Sequence, residues 1–167
     1  KAVDGLRNIG GTAIPRVIDA FATADKEHSG ALVTLLATLL DDNTFPLYAD
    51  GLGHSNKVCV AGVTKVLAIS SNYDTNRLME LLGREHVFKP ALIEILGVVR
   101  KRLNARELLK RAYQLEPREK TAVFKIIGDI AGPDLVPDLI ARVEGKDPSV
   151  RLNIIELLSR FNQPDVA

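Results

Sequence analysis

The sequence predicts an all-α fold: a right-handed α-α superhelix, or α-solenoid, of about five helix pairs spanning 30–31 residues each. Three observations carry this. Five segments align with one another: IPRVIDAF (14–21), FPLYADGL (45–52), TNRLMELL (75–82), ARELLKRA (105–112) and VPDLIARV (136–143). Their second residues, Pro15, Pro46, Asn76, Arg106 and Pro137, fall at steps of 31, 30, 30 and 31. Between them the apolar residues keep helical spacing, and Gly, Asp and Pro gather at the joints. A single repeat of this length cannot bury its apolar face, so neighbours must stack into one continuous core.

Each repeat reads as a first helix and a second helix. A leading helix of the second type is expected over 2–9. First helices begin near 12, 43, 73, 103 and 134, and second helices cover roughly 27–40, 56–70, 88–101, 118–131 and 148–161. In the first of these second helices, Leu32, Leu35, Leu36, Leu39 and Leu40 form the apolar stripe. In the next, KVCVAGV reads as an inner face. The third offers Leu92, Ile93, Ile95, Leu96 and Val99, the fourth Val123, Phe124, Ile126, Ile127 and Ile130. The fifth offers Val150, Ile154, Leu157, Leu158 and Phe161. Thr12, Asn43 and Asp134 stand three residues before the aligned position and are suited to cap a helix N-terminus. The prolines then fall in the first turn, where the missing N–H costs little. Repeats three and four lack the proline, and Asp74 and Asn104 are placed to cap there. The joints are Gly10-Gly11, Asp41-Asp42-Asn43, Gly51 to Gly53, Gly132-Pro133-Asp134 and Gly145 to Pro148. None is a Ser/Pro-rich linker, so residues 1–167 read as one repeat domain.

Composition fits this fold. The chain is 46% hydrophobic and 26% charged, the balance of an ordinary globular protein, whereas aromatics are only 5% and Trp is absent, leaving the packing to aliphatic residues. No apolar run approaches the ~18 residues of a membrane span, and no signal peptide is evident, which points to the cytoplasm. The chain opens on Lys1 inside a helical pattern (AVDGLRNIG) and closes on QPDVA (163–167), which repeats GPDLV (132–136) at a step of 31. These ends imply a segment cut from a longer array, with Leu6, Ile9 and Val166 exposed where it is cut.

The strings AIPRVIDAF, AVFKIIGDIAGPDLVPDLI and LVPDLIARVEGKDPSVRLNIIELLSRF resemble HEAT-like repeats of the short bacterial, phycobilisome-lyase type, in the armadillo-like class of helical repeats. The resemblance covers essentially the whole chain. It is strongest over 132–161, where the first helix, the Lys-Asp-Pro turn and the Val150-Arg151 step fit the family's pattern. Thr121 takes the place of Arg151 in repeat four, and repeats one to three have no clear arginine there. The resemblance implies an α-solenoid serving most often as a binding scaffold, with a few enzymes among its relatives.

Enzyme chemistry finds little purchase. The chain has no GxxxxGK[ST], HExxH, GxSxG or complete GxGxxG; Gly51-Leu52-Gly53 reads as a helix stop. The histidines, His28, His54 and His86, occupy inequivalent repeat positions, and none has a Cys or His at i+3 or i+4 to share a metal. Di-iron hydroxylases on HEAT-like repeats use His-Glu dipeptides, but here the order is Glu27-His28 and Glu85-His86. Cys59 is the only cysteine and reads as a buried structural thiol. Tyr48, Tyr73 and Tyr113 are scattered packing or rim aromatics. No cofactor, metal or small-molecule substrate is predicted.

Charge is the one uneven feature. Residues 1–96 carry a net −2, residues 97–125 a net +6 and residues 126–167 a net −3. The basic band crosses repeat four, and Arg100, Lys101, Arg102, Arg106, Lys110 and Arg111 are its candidate partner-binding residues. Read plainly, the band is a solvated helix surface. Read functionally, it contacts an acidic protein segment. Nucleic acid is disfavoured, because a duplex needs an extended run of phosphate contacts and the other repeats are neutral to acidic. The leading expectation is a non-enzymatic scaffold that offers an extended surface, mainly of second helices, to a protein partner or a flanking domain of its own chain. The alternative is a regulatory or coupling segment of a larger bacterial signalling protein.

Overall fold

The computed structural model describes residues 13–143 and 148–161. The leading helix expected over 2–9, Thr12, the Gly10-Gly11 joint, Gly145 and the three end residues Leu6, Ile9 and Val166 lie outside them. All regular structure among the described residues is helical, and no helix there is long and apolar enough to cross a membrane. The chain divides into two compact units, residues 1–99 and 100–167.

The first unit holds α1 (Ala13–Asp19), α2 (Lys26–Leu39), α3 (Phe45–Gly51), α4 (Lys57–Ile69), α5 (Asn76–Glu80) and α6 (Lys89–Val98). Helices α1 and α5 each run on into one turn of 3-10 helix, Ala20–Ala22 and Leu81–Gly83. The second helix of each pair packs on that of the next: α2 on α4, and α4 on α6. The reason is visible in their apolar stripes. Leu36, Leu39, Leu40, Val63, Val66, Leu67, Leu92, Ile95 and Leu96 are all buried, each such side chain contributing about 1.5–3 kcal/mol of transfer free energy. Leu32, Leu35 and Ile93 are half-buried at the edges of the same stripes. Gly62 lets α4 approach closely: a Cβ there would lie 2.6 Å from the Phe21 ring, which fills the space instead.

Polar ties join segments distant in sequence within this unit. Tyr48 is buried and its hydroxyl donates to the Leu36 carbonyl at 2.7 Å. The Asp74 N–H donates to Asp42 Oδ1 at 2.9 Å, and Arg77 donates to the Asp42 carbonyl. These ties explain why the helix expected near 73 begins only at Asn76. The preceding residues instead hold the earlier repeat, with Asn72 Nδ2 donating to the Ala37 carbonyl at 3.3 Å. The Asp74 carboxylate then accepts from the Asn76 N–H at 3.0 Å, close to the capping role expected of it.

The second unit starts with a 3-10 turn, Arg100–Arg102, so the α-helix predicted through 101 stops at Val98. There follow α7 (Ala105–Ala112), α8 (Pro117–Ile130), a 3-10 turn at Pro133–Leu135, α9 (Val136–Val143) and α10 (Pro148–Phe161). Helix α7 packs on α8, α9 on α10, and α8 on α10. Val123, Phe124, Ile126, Ile127, Val150, Ile154 and Leu157 are buried, whereas Ile130, Leu158 and Phe161 are half-buried.

The caps divide. Asn104 accepts from the Arg106 and Glu107 N–H groups at 3.0 and 3.1 Å, as a capping residue should. Asn43 does not cap. Helix α3 starts after Thr44, and the Asp41 carboxylate takes the Asn43 and Thr44 N–H groups at 2.9 and 2.8 Å. The donor a cap at Asn43 would need, the Phe45 N–H, goes to the Asp41 carbonyl at 2.9 Å instead, and Pro46 has none. Asp134 sits inside the 3-10 turn that precedes α9 rather than at a helix cap.

Candidate functional site

The basic band of repeat four is split by the fold. Arg100 and Arg102 lie in the 3-10 turn, with Arg100 Nε 3.7 Å from the Asp129 carboxylate of α8. On α7, Arg106 Nε donates to Asp138 Oδ2 at 2.7 Å and its Nη2 to the Asp134 carbonyl at 3.3 Å. Lys110 donates to Glu107 Oε1 at 2.8 Å. That hydrogen bond, then the Lys110 charge, hold the Glu107 carboxyl below its usual range. Lys101 is exposed and Arg111 half-buried. Thus Arg106 and Lys110, four residues apart on α7, are both engaged by carboxylates. Exposed pairs of this kind contribute little to stability, yet they lower the free positive charge that a partner meets.

Three other cations have no such engagement. Arg118 and Lys125 of α8 and Arg160 of α10 form no hydrogen bond or ion pair among the described residues. They line one open groove of about 520 Å³ between α8 and α10. Its α8 wall is Arg118, Thr121, Ala122 and Lys125, at positions 0, 3, 4 and 7 of that helix. Its α10 wall is Asn153, Glu156, Leu157 and Arg160, again at 0, 3, 4 and 7. Such spacing puts four side chains on one helix face. Phe124 and Leu157, both buried, supply an apolar floor. Gly128 allows α10 to lie close: a Cβ there would meet Arg160 Nη1 at 2.6 Å and Leu157 Cδ2 at 2.8 Å.

Asn153 is the unusual member. Its residue is only 9% exposed, yet its carboxamide makes no hydrogen bond among the described residues. Its amide atoms keep contact with solvent through the groove, where a ligand can reach them.

Sequence reasoning missed Asn153 and Arg160, and counted Arg118 and Lys125 only as part of the band. The available signal was the offset between the walls. Arg118 and Asn153, Thr121 and Glu156, Ala122 and Leu157, and Lys125 and Arg160 are each 35 residues apart, about one helical turn more than the repeat.

The remaining candidates resolve into packing and local pairs. Cys59 is buried, its Sγ 4.0 Å from the Asp19 carbonyl; burial, then the Asp19 charge, push the thiol up. Tyr48 and Tyr73 are buried, and Tyr113 packs edge-on to Phe124. His28 Nδ1 lies 2.7 Å from Asp25, and His54 Nε2 lies 2.9 Å from Asp19. Because His54 Nδ1 accepts the Asn56 N–H at 2.9 Å, its Nε2 is the protonated nitrogen and donates to Asp19. His86 is exposed. Among the described residues, no three His, Cys, Asp or Glu side chains cluster as metal ligands would.

Comparison with family models, with curated proteins and with solved structures returns no match for this chain.

Proposed function

We propose that this chain is a non-enzymatic protein-interaction scaffold, a HEAT-like α-solenoid that acts in the bacterial cytoplasm. It presents a surface of second helices to a protein partner or to a flanking domain of its own chain. The observation that carries this reading is the α8/α10 groove. Two stacked second helices line one groove, and the cations on its walls are unengaged while Arg106 and Lys110 of α7 are paired. Stacked repeats bind partners along such surfaces because successive helices supply successive contacts. The six residues of the band, Arg100, Lys101, Arg102, Arg106, Lys110 and Arg111, are proposed as a secondary contact beside the groove residues.

Affinity capture with three baits tests this. The baits are the unaltered chain, a band variant carrying R102E, R106E, K110E and R111E, and a groove variant carrying R118E, K125E and R160E. A partner held by the first two and lost from the third locates the surface at the groove. Loss from the band variant alone moves it to α7. No reproducible protein partner for any bait overturns the scaffold reading.

A further inference from the structure

We propose that the α8/α10 groove binds an extended acidic peptide segment. In this inference, which rests on the scaffold reading, Asn153 grips the peptide main chain and Arg118, Lys125 and Arg160 pair with its carboxylates.

The argument starts from Asn153. A carboxamide carries two N–H donors and an acceptor oxygen. At Asn153 these line the groove, keep contact with solvent and meet no partner among the described residues, although the residue as a whole is only 9% exposed. A peptide bond unit presents the complementary pair, one C=O and one N–H, and an extended segment leaves these free because it has no internal hydrogen bonds. A main-chain contact at Asn153 satisfies the amide without demanding any particular side chain.

The flanking charges then set the chemistry of the ligand. Arg118 and Lys125 stand two turns apart on α8, roughly 10.5 Å along the helix axis. That span accommodates about three residues of extended chain. Arg160 is likewise two turns from Asn153 on the facing wall. Cations therefore line both walls of the groove that holds Asn153. Phe124 and Leu157 on the floor suit an aliphatic side chain between the acidic ones. Glu156 lies among the cations and argues against a nucleic acid, whose evenly spaced phosphates would meet that carboxylate. A peptide can place a neutral residue there.

The experiment is fluorescence anisotropy on the full chain with short labelled peptides. One alternates Glu and Leu, a second replaces every Glu by Gln, a third is the acidic peptide N-methylated at its central residue, and the fourth probe is a single-stranded oligonucleotide. The acidic peptide should bind, weakening as salt rises. The Gln peptide should bind at least about tenfold less well, and the charge-reversed variant R118E/K125E should lose the acidic peptide. N153L, which keeps the buried volume but not the hydrogen bonds, should weaken binding about threefold to tenfold, the scale of one or two hydrogen bonds. N-methylation should weaken binding to the unaltered chain and not to N153L, which a merely structural role for Asn153 would not produce. Circular dichroism melts check that N153L remains folded.

Equal binding of acidic and Gln peptides, no effect of N153L, or tighter binding of the oligonucleotide would each overturn the proposal. Failure of every peptide while capture still yields a groove-dependent folded partner removes this inference alone. Failure of both removes the scaffold reading with it.

Discussion

Arg106 and Asp138 meet at 2.7 Å across 32 positions of sequence, joining the starts of two successive first helices, α7 and α9. The same offset recurs where the Asp74 N–H donates to Asp42. Each tie links the region of one helix entry to another 32 positions away.

A double-mutant cycle on R106A and D138A should return a coupling of about 0.2–1 kcal/mol, because both side chains are about half exposed. Urea denaturation measures it, and the coupling should shrink in high salt. A coupling indistinguishable from zero at low salt would show that the pair contributes nothing to stability.

Asn104 takes two N–H groups at the start of α7. N104A should therefore cost about 0.5–2 kcal/mol, while N104D retains the capping oxygen and most of the stability. Thermal melts of the two variants check this, and equal losses would mean that the side-chain bonds are not the cause.

Two glycines in unit 1 should respond oppositely to the same change. At Gly30 in α2 a Cβ meets nothing within 4 Å, so G30A should stabilise by about 0.4–1 kcal/mol. At Gly62 in α4 a Cβ would fall 2.6 Å from the buried Phe21 ring. There G62A should destabilise by about 1–3 kcal/mol despite the better helix propensity. Denaturant midpoints decide, and stabilisation by both would place the Phe21 ring elsewhere.

The Tyr48 hydroxyl is raised well above its ordinary value by burial, with the Asp41 charge adding to it. A raised folded-state value means the folded chain holds this proton more tightly than the unfolded one. The associated stability is complete below the unfolded value of about 10 and falls as pH climbs beyond it. Y48F removes the bond to the Leu36 carbonyl, costing about 1 kcal/mol at neutral pH. It should also flatten the decline above about pH 10, read from urea midpoints across pH. An unchanged alkaline limb would assign that decline to other groups.

The helix pairs were legible in the sequence because each leaves two independent marks: an apolar stripe with helical period and a joint rich in Gly, Asp or Pro. Second helices such as α8 and α10, long and strongly periodic, start within a residue of the positions read from the sequence. The first helices were harder, since they are short and their ends are decided by contacts with the preceding repeat. Asp42 delays α5 in this way, and the Asp41 turn displaces the cap expected at Asn43. The groove was hidden for a related reason. Counting charge along the chain merges Arg106 with Arg118, although one faces Asp138 and the other the groove. Two of the carboxylates that engage the band, Asp129 and Asp138, lie in the acidic stretch that follows and meet it only after folding.

Cys59 offers a last consequence. It is the only thiol in the chain, fully buried in α4 against the end of α1, with its thiolate disfavoured. An alkylating reagent can reach it only when that packing opens, so the labelling rate at neutral pH counts openings rather than surface chemistry. The protein thus carries its own clock for the parting of α4 from the end of α1, and a ligand that clamps the two together would slow that clock without touching the sulfur.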